Sequence, residues 1–548
     1  MAKKKLDGWF LIQIFLILLF FFILLYPLFG VIKQSVIMED GSFSLEQFEK
    51  FFTTPYHYRT LFNSFKITIT VTLLCLLIGI PLSYFYSFYK LKGSKLIFVI
   101  AILCSMSAPF LGAYSWVMLL GRNGVITRLF KTIGITLPSI YGFNGIVFTQ
   151  VLKFFPLVFI YMNGAFRNID NTLMEASENL GCTGIKRLFS VVMQLSMPTI
   201  LAASLMVFMR TFADFGAPTI LGEGYKTFPV LLYNEYLGEN GSNYYFASAL
   251  SVIAVVITAV FFFIQKYATS KYAFSINALH PIEKKDAKGV SGFFMHLYSY
   301  LLCGLAILPQ IYIIYLSFRN ARGSVFSPGF SLNNYSQALK KKLLLSTYNT
   351  VVMGIIALII IIVIAVMIAY LVVRRSGILS HTIDSISMLP YIMPGAVIGI
   401  SLLIAYGSKP LALTGTMTIM IISFVIRRMP YTIRSATATL QQIPMSIEEA
   451  AISLGASKAK TFVGITVPMM SNGILSGAIL SWVAIVTELS SSVILYSNKT
   501  ATLTMQAYIY IGRGEYGTAA AFAAILTAIT AISLFVYMAV SKSEDIQI

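Results

Sequence analysis

The sequence predicts an all-α polytopic membrane protein of about twelve spans, arranged as two parallel six-helix repeats. Three observations carry that prediction. The 548 residues are 57% hydrophobic and only 11% charged, where a soluble domain carries about 25% charged residues. The apolar residues fall in blocks of about 20 or more, enough for a helix to cross a bilayer, and the alternation of barrel strands is absent. Finally, one water-soluble segment occurs twice, as EASENLGCTGIKRLFSVVMQ at 175–194 and EAAISLGASKAKTFVGITVP at 449–468.

Taken in order, the spans are expected at 9–32, 61–88, 96–120, 140–163, 197–220 and 245–266, then at 293–317, 345–373, 378–406, 411–432, 470–496 and 517–540. The first follows Lys3-Lys4-Lys5, but its apolar run is too long for a signal peptide and no small-residue cleavage site follows, so it is expected to be a retained helix. Loop bases then orient the chain. Lys90, Lys92, Lys95, Arg167, Lys186, Arg187, Lys266, Lys271, Lys284, Lys285 and Lys288 share the side of the N-terminal lysines, as do Arg374, Arg375, Arg427, Arg428, Arg434, Lys458 and Lys460. That side is expected to be cytoplasmic and to hold both termini and both copies of the repeated segment. Lys340-Lys341-Lys342 falls opposite, against the rule, among Glu39, Asp40, Glu46, Glu49, Glu223, Glu235, Glu239 and Glu515. The net charge of +19 therefore flanks membrane spans and faces anionic lipid rather than nucleic acid.

The duplication extends beyond the repeated segment. At an offset of 274, Ile200-Leu201 aligns with Ile474-Leu475, Phe208 with Trp482, and Asp214 with Glu488; at an offset of 286, Asn63 aligns with Asn349. A longer outer loop at 121–139 accounts for the difference. The halves are residues 1–266 and 293–548, joined by a polar linker at 267–292. Each has six spans, an even number, so both share one orientation.

Each copy opens with acids and good helix formers, Glu175-Ala176 or Glu448-Glu449-Ala450-Ala451, and then meets Gly181 or Gly455. Acids favour a helix start, and glycine takes the left-handed conformation that ends one. Two short helices joined by a bend make a knob suited to a groove on a partner. The spacing EAA-x3-G-x9-I-x-V-P of the second copy resembles the EAA loop of binding-protein-dependent ABC importer permeases. The resemblance implies the type I importer permease fold, with EAA loops at about 167–196 and 434–469. It also implies docking on two copies of a cytoplasmic ATPase that carry ATP and Mg, with no cofactor on this chain. An extracytoplasmic substrate-binding protein and a bacterial inner membrane complete what it implies. The first copy departs from the pattern at Ser177 and Gln194, with Pro198 one turn later. Phe212-Ala213-Asp214-Phe215-Gly216, Thr487-Glu488-Leu489-Ser490-Ser491-Ser492 and the fusion of two halves are similar to the iron(III) importer permeases. Permeases for 2-aminoethylphosphonate, thiamine and polyamines share the architecture, so those cargoes stay open; an ion-coupled secondary transporter is a further alternative.

Carboxylates at membrane depth are costly and face protein or water. Asp214 and Glu488 are thus candidates for the translocation path, where they would attract a cation such as ferric iron, while Arg210 offers Asp214 a local ion pair instead. Gly473-x-x-x-Gly477 suggests that the two fifth-type helices meet each other closely. Pro81, Pro109, Pro156, Pro390 and Pro394 are expected to kink spans, with 388–394 as a candidate gate. Catalysis and a resident metal find no support: there is no phosphate-binding loop, and His57, His280, His296, His381 and the four cysteines are dispersed.

Overall fold

A computed structural model describes residues 8–105, 107–238, 243–271, 280 and 282–541. Lys3, Lys4, Lys5, Glu239 and linker positions 272–279 lie outside the described residues. Seven helices are each long and apolar enough to cross a membrane: Gly8–Val36, Pro55–Phe88, Phe143–Arg167, Tyr244–Ile264, Gly289–Phe318, Leu343–Arg374 and Tyr516–Val536. Four bent pairs add to them. Ser94–Ser105 turns by 103° into Phe110–Thr132, and Ile378–Ile392 turns by 111° into Gly395–Tyr406. Leu188–Leu195 meets Met197–Phe212 at 72°, and Lys458–Met469 meets Ser471–Val486 at 68°. On length and apolarity the described residues thus give up to 11 spans. The remaining expected span, 411–432, falls on the helix Met417–Gln442, whose Arg427, Arg428 and Arg434 make it too polar to qualify.

The duplication is legible in the backbone. The π-turns Leu188–Val192 and Phe462–Thr466, and the helices Met197–Phe212 and Ser471–Val486, keep the 274-residue offset at both ends. The other offset is equally physical. Asn63 Nδ2 donates to Lys226 O at 2.9 Å, and Asn349 Nδ2 donates to Lys499 O at 2.8 Å. One residue later, Ser64 Oγ accepts from Phe228 N and Thr350 Oγ1 from Leu503 N, at 2.8 and 2.9 Å. Each pair ties a long helix to the start of the half's short penultimate helix, Phe228–Leu237 or Leu503–Gly512, by satisfying backbone groups that would otherwise be orphaned.

Prolines act by position. Pro81 and Pro156 sit inside unbroken helices, and Pro390 sits within Ile378–Ile392. The sharp turns come where Pro109 and Pro394 open the second limb of a bent pair, at helix starts that need no proline N–H.

The halves are interlocked rather than side by side. The first helix packs on the second half: Trp9 stacks on Tyr370 with ring centroids 4.4 Å apart, and Gln13 Nε2 donates to Ser380 Oγ at 2.9 Å. Reciprocally, Gly289–Phe318 packs on the first half, where Tyr298 OH donates to Ile78 O and Pro309 O accepts from Ser115 Oγ. The Gly473/Gly477 stripe serves a different neighbour from the one expected. A Cβ on Gly477 would lie 2.6 Å from Thr432 Cα, and one on Gly473 would lie 1.9 Å from Thr439 Oγ1, so both glycines receive the helix Met417–Gln442. The linker is strapped down at its described end: Lys285-Asp286 pairs in parallel with Tyr89-Lys90, and Lys90 Nζ stands 3.3 Å from Asp286.

Candidate functional sites: an interhalf cavity and two exposed loops

The helices Met197–Phe212 and Ser471–Val486 each end in a turn that carries an acid, Asp214 or Glu488. These turns converge, and both acids line one cavity of about 240 Å³ between the halves. Asp214 is 8% exposed and Glu488 2%. Each carboxylate holds its own turn: Asp214 Oδ1 accepts from Gly216 N at 3.1 Å, and Glu488 Oε1 from Ser491 N at 3.0 Å.

Their other partners were not apparent from sequence spacing. Arg210 does not pair with Asp214, because the helix ends at Phe212 and the four-residue face relation is lost. Asp214 Oδ2 instead accepts from Gln150 Nε2 at 3.0 Å, while Arg210 Nη2 donates to Tyr431 OH at 2.9 Å. Glu488 receives both Arg427 Nη1 and Arg428 Nη2. Those two arginines, counted among the loop bases although they fall within the expected span 411–432, lie inside the helix Met417–Gln442 and line the cavity. Lys153, from Phe143–Arg167, completes the ionisable lining; its Nζ lies 4.8 Å from the Phe154 ring centroid. Sequence reasoning passes over Lys153, although a cation inside an apolar run is itself a signal. Four basic side chains therefore face two acids, and the acids are already engaged.

The repeated segments form matched knobs. Asn171–Asn179 and Ser446–Ser453 are short helices, followed by Gly181 at φ +73° and Gly455 at φ +90°. A residue with a Cβ is strained in that left-handed region, so the bends depend on these glycines. Just before each glycine stands a leucine pushed outward: Leu180 is 86% exposed and Leu454 90%. Glu175, Ala176, Glu449 and Ala450 are exposed as well. Ala451 and Glu448 turn inward, and Glu448 accepts from Arg374 Nε at 2.8 Å and Tyr370 OH at 3.2 Å. The first knob is anchored differently: Glu178 pairs with Arg187 at 3.0 Å and with Lys285 of the linker at 3.1 Å. The hydrogen bond from Lys285, then the Arg187 contact, holds the exposed Glu178 carboxyl below its ordinary value.

The chain matches the family model for the binding-protein-dependent transport system inner membrane component over residues 76–273 and 361–543. It is 28% identical to the ferric transport system permease protein FbpB of Actinobacillus pleuropneumoniae, covering 95% of this chain and 76% of the relative. A Haemophilus influenzae Fe(3+)-transport system permease, FbpB 2, is 23% identical over 88% of this chain and 90% of its own length. A Salmonella typhimurium permease assigned to 2-aminoethylphosphonate transport, PhnU, is 25% identical over 48% of this chain and 92% of its own. One match in each half, together spanning most of the sequence, makes the chain a member of the family of binding-protein-dependent transport system inner membrane components.

Proposed function

We propose that this chain forms the whole transmembrane pathway of an ATP-driven importer of ferric iron, with the two knobs coupling it to two copies of a cytoplasmic ATPase. The observation that carries this reading is the matched pair of outward leucines, Leu180 and Leu454, each before a left-handed glycine. A large apolar side chain left about nine-tenths in water at equivalent places in two repeats supports a partner that covers both. No phosphate-binding loop occurs in the sequence, so ATP and Mg belong to that partner. Each knob runs through a π-turn into the helix whose following turn carries Asp214 or Glu488. Closure of an ATPase dimer would draw the knobs together, and those helices would carry the movement to the cavity. An extracytoplasmic binding protein delivers the cargo, and the knobs, linker and both termini face the cytoplasm. The iron reading rests on relatives named for ferric transport that align along most of this chain.

The test is Leu180→Asp with Leu454→Asp. Covering a leucine contributes about 1.5–3 kcal/mol, so each substitution should weaken ATPase association by about ten- to a hundredfold. The double variant should lose the ATPase on co-purification and lose uptake of labelled iron in proteoliposomes. Full association by the double variant would sink the coupling role. A second reading, import of 2-aminoethylphosphonate, draws on the Salmonella relative and on the excess of bases around the cavity.

A further inference from the structure

From the charge around the cavity we infer that the species crossing this protein is an oxyanion: iron passes as an anionic complex, dressed by carboxylate or phosphate oxygens, rather than as a bare cation. The inference rests on the reading above that the cavity belongs to the import path.

Four basic side chains, Lys153, Arg210, Arg427 and Arg428, face the cavity against Asp214 and Glu488, a formal net charge of +2 in a space of about 240 Å³. The two acids are outnumbered by the bases and leave the sign positive. Glu488 is held by two guanidinium groups and by Ser491 N, and Asp214 by Gln150 and Gly216 N. Two of the bases remain uncommitted to any carboxylate: Arg210 meets a tyrosine hydroxyl, Lys153 an aromatic ring, and neither forms an ion pair among the described residues. A trivalent cation entering here would meet repulsion that little solvent screens, because interior charges interact far more strongly than exposed ones. An oxyanion reverses the sign of that interaction and suits the donors present. Guanidinium forks match carboxylate and phosphate geometry, and an ammonium serves as a point charge for phosphate. Tyr161, Tyr391 and Tyr431 add hydroxyl groups to the same lining.

Two cargoes supply this chemistry, a ferric complex with an anionic chelator and a free phosphonate. One charge series separates them and tests the inference. Lys153 is changed to Arg, Gln and Glu, setting the cavity at +2, +1 and 0 on the count above. The complex, with its ATPase and binding protein in proteoliposomes, is assayed with labelled iron supplied as ferric citrate and, separately, with labelled 2-aminoethylphosphonate; rates are normalised to assembled complex. Lys153→Arg keeps the charge and changes the side chain's shape, so its uptake is the reference against which Gln and Glu are read. Uptake of the transported label should fall stepwise through Gln to Glu, by about tenfold or more in total. If iron uptake is unchanged or rises as positive charge is removed, the anion inference is overturned while the iron reading stands. If the wild-type complex moves the phosphonate and not iron, and that uptake falls with charge, the iron reading fails and the anion inference stands. Phosphonate uptake insensitive to the series would overturn it.

Discussion

Replacing Glu488 by Gln removes one negative charge from a site 2% exposed to solvent and leaves two guanidinium groups, on side chains 12% and 16% exposed, facing each other without it. Removing one partner of a buried ion pair costs about 3–5 kcal/mol, because the remaining charge stays desolvated and uncompensated. Here two arginines lose the same partner. Gln can still accept from Ser491 N, so the backbone of the turn keeps its contact and the loss is electrostatic. Glu488→Gln should therefore destabilise the protein by about 3–5 kcal/mol. Adding Arg428→Gln relieves the repulsion, and the double variant should be more stable than the sum of the singles by about 1–3 kcal/mol. The assay is a reversible SDS titration in mixed micelles, monitored through the native tryptophans, on the wild type, both single variants and the double. If Glu488→Gln lies within about 0.5 kcal/mol of wild type, or if the two substitutions simply add, the electrostatic reading of this triad is wrong.

Gly477→Val should destabilise by at least about 1–3 kcal/mol in the same titration, since its side chain would meet the backbone of Thr432, whereas Gly464→Ala, with nothing within 4 Å, should be tolerated. Equal effects would contradict the close helix approach. At the second knob, Glu448→Ala should strand Arg374, which is 7% exposed, and cost about 3–5 kcal/mol; thermal midpoints in detergent check this, and no change would place the pair outside the packed interior. The first knob should respond to pH. Glu178 has its carboxyl held below the ordinary value of 4.5, so the attachment to Lys285 is complete above that value and is lost only as pH falls below it, through the native titration. Spin labels at positions 173 and 283 should give a narrow distance distribution at neutral pH and a broad one in acid. Glu178→Gln should broaden it at neutral pH, and a distribution that stays narrow in that variant would rule out this ion pair as the fastening.

Much of this molecule is local or periodic, and that part is readable from the residues alone. Apolar runs long enough for a bilayer give the helices without reference to any contact, because backbone satisfaction in lipid leaves few other options. The offset of 286 aligns Asn63 with Asn349, which make similar hydrogen bonds to a later loop, and the offset of 274 aligns the two π-turns. The knobs are legible too, since acids, small residues and a left-handed glycine act within a few residues of one another.

What the sequence leaves open depends on positions far apart in the chain. Sequence spacing credits Asp214 to Arg210 and leaves Glu488 without a base, while the tertiary structure gives Asp214 to Gln150 and Glu488 to Arg427 and Arg428. It turns Glu448 inward and its neighbour Glu449 outward, although both belong to one acidic start. It also crosses the first helix of each half onto the other half, which no pattern within a half encodes. The sequence by itself determined the membrane helices, the duplication and the two knobs, because hydropathy and turn chemistry are properties of neighbouring residues. Only the tertiary structure decided the sign of the cavity's charge, because that sign is a sum over side chains from four separate segments meeting in one space.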